Sequence, residues 1–236
     1  MSPSPAAVAL FDVDGTLIRT EGPSRHSRTF KAAFQRVYGA PCVFTQGMHG
    51  MTDTQIYIAM AREMGIEDGR LAQMARDACR SMVELYQLRE EADGSYYALP
   101  GVEELLDDLE RRGVVLGLVT GNVPEIAYDK LADVGLDRYF PFGAFGNDAE
   151  DRTGLPPLAI RRAEEWVGRP VDRERVFVIG DTGRDVACAL DNGLRAVAVG
   201  TGFVPLEELR ATGAELVLPD LSDPEPLLRL MGLNSG

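Results

Sequence analysis

The stretch VALFDVDGT, residues 8–16, is a short apolar run that ends in two closely spaced aspartates. Residues i and i+2 of an extended chain point to the same side, so Asp12 and Asp14 can converge just beyond a strand. Like charges at that separation repel each other unless a cation or a shared proton relieves them. A simple turn is the alternative, because Gly15 favours a tight bend after a strand. The downstream sequence decides between a metal-binding acid pair and a turn.

Apolar runs of strand length recur along the chain and alternate with helical patterns. Several runs are continuous and rich in β-branched residues, as in strands that are buried on both faces of a parallel sheet. Apolar residues recur at helical spacing between them, for example in residues 102–109 and 159–167. This alternation predicts an α/β fold with a doubly wound, Rossmann-like parallel sheet. The predicted strands are residues 8–11, 114–119, 142–145, 176–179, 196–199 and 216–218.

Residues 20–98 interrupt the alternation with helical patterns only. Three apolar stripes at helical spacing predict three helices in this stretch. We therefore expect an all-helical cap domain of residues 20–98, inserted into a core domain of residues 1–19 and 99–236. The stripes cover residues 30–37, 57–64 and 71–85, and turn-forming pairs at residues 22–23, 93–94 and 100–101 mark the ends.

The composition excludes several functional classes. With 37 acidic and 24 basic residues, the formal net charge of −13 disfavours nonspecific binding to nucleic acid or to an anionic membrane. The 3 cysteines are widely spaced and form no C-x-x-C pair, so neither a disulfide framework nor a zinc site is expected. The apolar stretch near the N-terminus is too short for a signal sequence or a membrane span. We expect a cytoplasmic monomer or homodimer.

Polar residues follow two further predicted strands, at the sheet edge where open parallel sheets bind ligands. Thr120, Gly121 and Asn122 suit a phosphate oxygen, although they also fit an ordinary helix N-cap. Asp181 and Asp185 follow the fourth predicted strand. Four carboxylates that converge without a cation would be electrostatically costly. The pattern therefore favours a hard cation with oxygen ligands, such as Mg²⁺.

Three segments, FDVDGT, VTGN and VIGDTGRDV, resemble the haloacid dehalogenase superfamily in their order and in the helical insert after the first. The insert and the tail DVACALDNGLRAVAVGTG are similar to the phosphoglycolate phosphatase and β-phosphoglucomutase branch. The resemblance covers essentially the whole chain. It implies a Mg²⁺-dependent phosphoric monoester hydrolase that acts on a small phosphorylated metabolite, either phosphoglycolate-like or a sugar phosphate.

The resemblance also implies roles for the acidic residues. Asp12 would be the nucleophile that forms an aspartyl-phosphate, and Asp14 would be the general acid and base. Asp12, the backbone carbonyl of Asp14 and Asp181 would hold Mg²⁺, with support from Asp185. The polar residues of the VTGN segment, Thr120 to Asn122, would hold the transferring phosphoryl group.

The chain departs from the superfamily in lacking a lysine in a K-P-x-P-like segment between the second and fourth motifs. Its two lysines are Lys31, in the predicted cap, and Lys130, in the predicted helix after VTGN. Arg152, in DAEDRTGLPPLAI, is the best positional substitute, because a guanidinium can neutralise a phosphate bidentately. The alternative is a solvated loop arginine that pairs with its acidic neighbours Asp148, Glu150 or Asp151.

Two cap residues are candidate substrate contacts. The loop of residues 46–53 resembles the specificity loop of this branch, and Asp53 at its end also fits a helix-capping role. His26 lies near the first hinge, where related caps place a polar residue close to the leaving group. The alternative for His26 is a packed or exposed helix residue.

Asp14 argues for phosphoryl transfer over dehalogenation, because the displacement of halide needs no acid. Two alternatives to a phosphatase remain open. One is a phosphomutase of the β-phosphoglucomutase type, whose cap would have to exclude water. The other is a protein that binds a phosphorylated metabolite without turning it over.

Overall fold

The central feature of the computed structural model, which describes residues 7–44 and 47–233, is a parallel sheet. The six strands that the described residues contribute are Gly143–Ala144 (β5), Val115–Val119 (β4), Val8–Phe11 (β1), Val176–Gly180 (β6), Arg195–Val199 (β7) and Leu216–Leu218 (β8), in this order across the sheet. In the register, Phe11 lies between Leu118 and Ile179. The carboxyl ends of β1, β4 and β6 therefore meet at one edge. This topology confirms the predicted doubly wound α/β fold.

Helices cover both faces of this sheet, which explains the continuous apolar run in β1. Val8 and Leu10 pack into one core cluster, whereas Ala9 and Phe11 pack into the other. One predicted stripe is wrong at Trp166, which is 64% exposed. The core helices are Val102–Arg111 (α4), Pro124–Ala132 (α5), Leu155–Val167 (α6), Gly183–Leu190 (α7), Leu206–Arg210 (α8) and Glu225–Leu230 (α9).

Three helices lie in the predicted cap, as the apolar stripes indicated. They are Arg25–Tyr38 (α1), Asp53–Glu63 (α2) and Asp68–Tyr86 (α3). Their shared core includes Phe30, which stacks on Tyr57 with ring centroids 4.0 Å apart. In the described part of the chain, every helix is too short or too polar to cross a bilayer.

The prediction that residues 20–98 are helical throughout is wrong at both ends. The strands Ile18–Glu21 (β2) and Ser95–Ala98 (β3) pair as an antiparallel ribbon. These strands are short and, unlike the fully apolar four-residue β1, include polar residues such as Arg19 and Ser95, which is why the sequence pattern did not reveal them. Gly94 N donates to Pro23 O at 2.8 Å, so the two segments that connect the core to the predicted cap run side by side. The domain boundaries stay a prediction, and both lie within this ribbon.

Candidate active site

Three buried carboxylates meet at the carboxyl ends of β1 and β6. Asp12 follows β1, Asp181 follows β6, and Asp185 lies in the first turn of α7. One oxygen from each lies within 4.8 Å of the others, and all three residues are buried. Glycines make room for this cluster: a Cβ atom at Gly202 would lie 1.6 Å from Asp181 Oδ2, and one at Gly15 would lie 2.5 Å away. The cluster could hold a metal ion, because hard cations prefer carboxylate oxygens.

Burial and mutual repulsion raise the pKa of two of these acids. Burial raises the pKa of Asp12 to about 6, with the charge of Asp185 adding to the shift and Arg152 opposing it. Burial also raises the pKa of Asp181 to about 8, and the neighbouring charges of Asp12 and Asp185 contribute. A bound cation would displace these protons and relieve the repulsion. The donor set therefore fits a divalent metal.

Arg152 reaches into the acidic cluster from a single 3₁₀ turn, Arg152–Gly154, that precedes α6. Its Nη2 lies 3.0 Å from Asp12 Oδ1 and also donates to Asp185 Oδ1. Its Nη1 donates to the carbonyl of Gly50 at 3.0 Å, in the loop before α2. Its buried Nε has no hydrogen-bond partner within the described residues. Arg152 thus connects the acidic cluster to the cap and keeps one buried donor unused.

Two acidic neighbours of Arg152 in the sequence, Asp148 and Asp151, have other partners. Asp148 forms an ion pair with Arg162 at 2.6 Å, and Asp151 accepts a hydrogen bond from Thr153 N at 2.8 Å. Arg152 itself is only 4% exposed. The alternative of a solvated loop arginine is therefore wrong.

Asp14 is paired with Lys130, and its carboxylate lies apart from the acidic cluster. Lys130 Nζ lies 2.6 Å from Asp14 Oδ2 and 2.7 Å from Asn122 Oδ1. Asn122 Nδ2 donates to the same oxygen of Asp14 at 2.8 Å. Burial raises the pKa of Asp14, but Lys130 and His26 outweigh it and hold this pKa below its ordinary value. The two aspartates of the opening motif therefore occupy opposite electrostatic environments.

Lys130 is a site residue that the sequence interpretation set aside as part of an ordinary helix. The residue is 1% exposed and lies in the last turn of α5. A signal was present, because Lys130 shares the buried face of α5 with Ile126, Ala127 and Leu131. A lysine on the buried face of an amphipathic helix needs a partner for its charge.

His26 and Asp53 extend this polar chain from the cap. His26 Nδ1 lies 3.1 Å from Lys130 Nζ, and His26 Nε2 lies 3.1 Å from Asp53 Oδ1. The other carboxylate oxygen of Asp53 accepts from Val123 N at 3.3 Å. The N-cap of α2 is Thr52, so the helix-capping alternative for Asp53 is wrong. Both predicted cap residues therefore lie next to the Asp14 side of the site.

The residues of the VTGN segment contribute unequally to the lining of the site. Gly121 and Asn122 line the cavity of the site. Thr120 is fully buried, and its hydroxyl oxygen accepts a hydrogen bond from Asn122 Nδ2 at 3.0 Å. Asp53 N donates to the carbonyl of Gly121 at 2.8 Å, which joins the cap to the core. The hydroxyl of Thr120 thus orients the side-chain amide of Asn122.

The cavity between the core and the cap measures about 570 Å³. Asp12, Asp14, Lys130 and Arg152 all line it. The loop before α2, of which residues 47–52 are described, closes one side. Arg184 holds this loop from the core, because its Nε donates to His49 O at 3.0 Å and its Nη2 donates to Gly47 O at 2.9 Å.

Comparison with known proteins agrees with this geometry. A family model described as haloacid dehalogenase-like hydrolase matches residues 6–193. The chain belongs to this family. The match confirms the resemblance drawn from the three motifs and the prediction of a hydrolase.

Curated relatives of the chain carry phosphatase names. The chain is 24% identical over 230 residues to "Pyrophosphatase PpaX" from Halalkalibacterium halodurans, covering 96% of this chain and 97% of the relative. It is 33% identical over 129 residues to "Phosphoglycolate phosphatase" from Synechococcus elongatus, covering 52% of this chain and 56% of the relative. The chain thus spans about half the length of that second relative.

Solved structures share the fold over nearly the whole chain. A β-phosphoglucomutase from Clostridium difficile aligns with a TM-score of 0.66 at 19% identity, covering 96% of this chain and 97% of the other. A predicted phosphatase from Clostridium acetobutylicum aligns with a TM-score of 0.66 at 19% identity and covers 98% of that chain. At these identities the likeness shows the fold alone.

Proposed function

We propose that this chain is a cytoplasmic, Mg²⁺-dependent phosphatase, monomeric or homodimeric, that hydrolyses a small phosphorylated metabolite through an aspartyl-phosphate. The observation that carries the proposal is the contrast between Asp12 and Asp14. Asp12 lies in a buried acidic cluster beside Arg152, whereas Asp14 pairs with Lys130 and Asn122. Two acids in unlike environments suit two unlike roles. The names of the curated relatives support hydrolysis at phosphorus, of an ester in one relative and of an anhydride in the other.

Asp12 is the nucleophile of this proposal. One of its carboxylate oxygens attacks phosphorus, the bond from phosphorus to the leaving oxygen breaks, and an aspartyl-phosphate forms. Arg152 Nη2 holds Asp12 Oδ1 at 3.0 Å and so orients the carboxylate. Arg152 also lines the cavity, where its charge would neutralise the transferring phosphate.

Asp14 moves the proton. It gives a proton to the leaving oxygen in the first step and takes one from the attacking water in the second, so the cycle returns it to its starting state. Its contacts with Lys130 and Asn122 hold one carboxylate oxygen in place. The second oxygen would then face the leaving group.

Asp12, Asp181 and Asp185 would hold Mg²⁺, together with the backbone carbonyl of Asp14 that the family resemblance implies. The close approach of these three carboxylates and the raised pKa values of Asp12 and Asp181 support this assignment. Bound there, the cation would neutralise the acids and the phosphate charge.

The test is a panel of phosphorylated metabolites assayed with Mg²⁺ for the wild type and for Asp12→Asn. We expect release of phosphate and a loss of at least about 10³-fold in kcat for the variant, because the amide cannot form the intermediate. Asp148→Asn is the matched control, since Asp148 pairs with Arg162 outside the cavity. Activity that survives Asp12→Asn contradicts the nucleophile. Conversion of β-glucose 1-phosphate to the 6-phosphate indicates the mutase, and binding without any turnover indicates the non-catalytic alternative.

A further inference from the structure

The cavity walls are largely apolar away from the acidic and basic groups of the core. An apolar wall favours a ligand that brings apolar surface of its own, because that surface leaves water on binding. Both the cap and the core loop after β7 contribute to this wall. Its residues are Phe30, Phe44, Met48, Ile56, Phe203 and Val204.

Phe203 occupies an unusual position for a large apolar side chain. It is 77% exposed although it lines the cavity. The guanidinium carbon of Arg19 lies 5.2 Å from its ring centroid, and the ring of His49 lies 5.6 Å away. Arg19 is itself held by a hydrogen bond of 3.0 Å from its Nη2 to Gly202 O. These contacts hold an aromatic face at the rim of the cavity.

The two cations at the core end of the cavity, Lys130 and Arg152, are already engaged by partners. Lys130 contacts Asp14, Asn122 and His26 through its single amino group. Arg152 is shared by two buried carboxylates and the loop carbonyl of Gly50. Asp53, which also lines the cavity, adds a negative charge on the cap side. At the core end, a carboxylate on the leaving group would therefore meet occupied cations and a like charge. Arg19, at the rim, donates to Gly202 O and faces the Phe203 ring.

The cavity volume points in the same direction. At about 570 Å³, the space falls within the range that suits ligands of drug size rather than a two-carbon acid. A small substrate would leave much of the apolar wall without a contact. Size and polarity therefore select against a glycolate leaving group.

We infer that the substrate is a phosphate monoester whose leaving alcohol is uncharged and carries a flat apolar group, which packs against Phe203. This inference rests on the proposed phosphatase activity and specifies its substrate class. The phosphate lies at the Asp12 end of the cavity, and the apolar group occupies the space between the core loop and the cap.

The test compares benzyl phosphate with 2-phosphoglycolate, each with Mg²⁺. Both release a primary alcohol, so their intrinsic reactivities are similar and the comparison reports on the pocket. We expect kcat/KM for benzyl phosphate to exceed that for 2-phosphoglycolate by at least about tenfold, since one aromatic contact changes binding by this order. Phe203→Ala lowers kcat/KM for benzyl phosphate by about tenfold through KM, and changes the value for ethyl phosphate by less than about twofold.

Trp166→Ala is the matched control, because Trp166 is an exposed aromatic on α6 outside the cavity lining. It leaves the kinetics of both esters unchanged. A preference for 2-phosphoglycolate, or an equal effect of Phe203→Ala on benzyl and ethyl phosphate, overturns the inference and leaves the phosphatase intact. Hydrolysis that survives Asp12→Asn overturns the proposed function and this inference with it.

Discussion

Lys130 Nζ lies 2.6 Å from Asp14 Oδ2, and the lysine that makes this contact is 1% exposed. The contact places a buried positive charge at the aspartate that follows the proposed nucleophile by two residues. Together with His26, it lowers the pKa of Asp14 against the effect of burial. Lys130 therefore holds Asp14 ready to accept a proton from water.

Replacing Lys130 by methionine tests this relationship, because methionine keeps a similar chain length and removes the amino group. The pKa of Asp14 should rise once its cation is gone. Because kcat/KM reports the first step, in which Asp14 gives up its proton, the alkaline limb of the kcat/KM profile should move to higher pH. We also expect kcat to fall by about 10²-fold, the order of a general acid and base contribution. The measurement is a pH profile of kcat and kcat/KM.

Lys31→Met is the control for that experiment, since Lys31 is the other lysine of the chain and is exposed on α1. Its profile should match the wild type. An unshifted alkaline limb in Lys130→Met would show that the lysine supports only the packing of α5.

Arg152→Lys tests the hydrogen bond from Arg152 to the cap loop separately from its ion pairs in the acidic cluster. Lysine can keep an ion pair with Asp12 and Asp185 but cannot at the same time donate to Gly50 O. The cap loop should then close less firmly, and KM should rise by about tenfold while kcat changes less than about threefold. Steady-state kinetics with Arg195→Lys as the control give the answer, because Arg195 pairs with Glu215 away from the site. A fall in kcat at constant KM would mean that Arg152 acts at the chemical step alone.

Gly121→Ala addresses the contact between core and cap from the other side. A Cβ atom at Gly121 would lie 2.5 Å from Met51 O, and the carbonyl of Gly121 also accepts a hydrogen bond from Asp53 N. The side chain should push the loop outward, raise KM and cost about 1–3 kcal/mol of stability. Gly69→Ala, in α3, meets no atom within 4 Å and should be neutral or stabilise the helix. Equal unfolding midpoints and equal KM values for the two variants would contradict this prediction.

The sheet could be predicted because its strands carry their own signal. Val8 to Phe11 is apolar at every position, as a strand buried on both faces requires, and its acidic end is readable from the spacing of Asp12 and Asp14. The β2–β3 ribbon could not be predicted, since its four-residue strands are neither fully apolar nor long enough to show a period.

The acidic residues of the site could be predicted from the sequence, whereas the basic residues could be predicted only in part. Asp181 follows a strand directly, so sheet geometry places it next to Asp12. Lys130 comes from the far end of a helix, and its direction depends on how α5 packs, which a motif does not encode. The bond from Arg152 to Gly50 O depends on where the cap settles, which is a long-range property of the fold.

The raised pKa values of Asp12 and Asp181 have a consequence for stability. An unfolded aspartate loses its proton near pH 4, whereas these two keep theirs in the folded chain up to about pH 6 and about pH 8. The folded state therefore binds more protons than the unfolded state across this range. The metal-free protein should lose stability as the pH rises from about 4 to 8.

Mg²⁺ should reverse this loss, because the cation replaces the protons on the acidic cluster. At a concentration of 100 times its Kd it stabilises by about 2.7 kcal/mol, or about 5–10 °C in Tm for a chain of this size. The gain should be larger at pH 8 than at pH 5.5, where protons compete with the metal. Asp181→Asn should raise the Tm of the metal-free protein at pH 8 and abolish the gain, whereas Asp148→Asn should keep it. A gain that is independent of pH, or that Asp181→Asn retains, would place the cation away from these carboxylates.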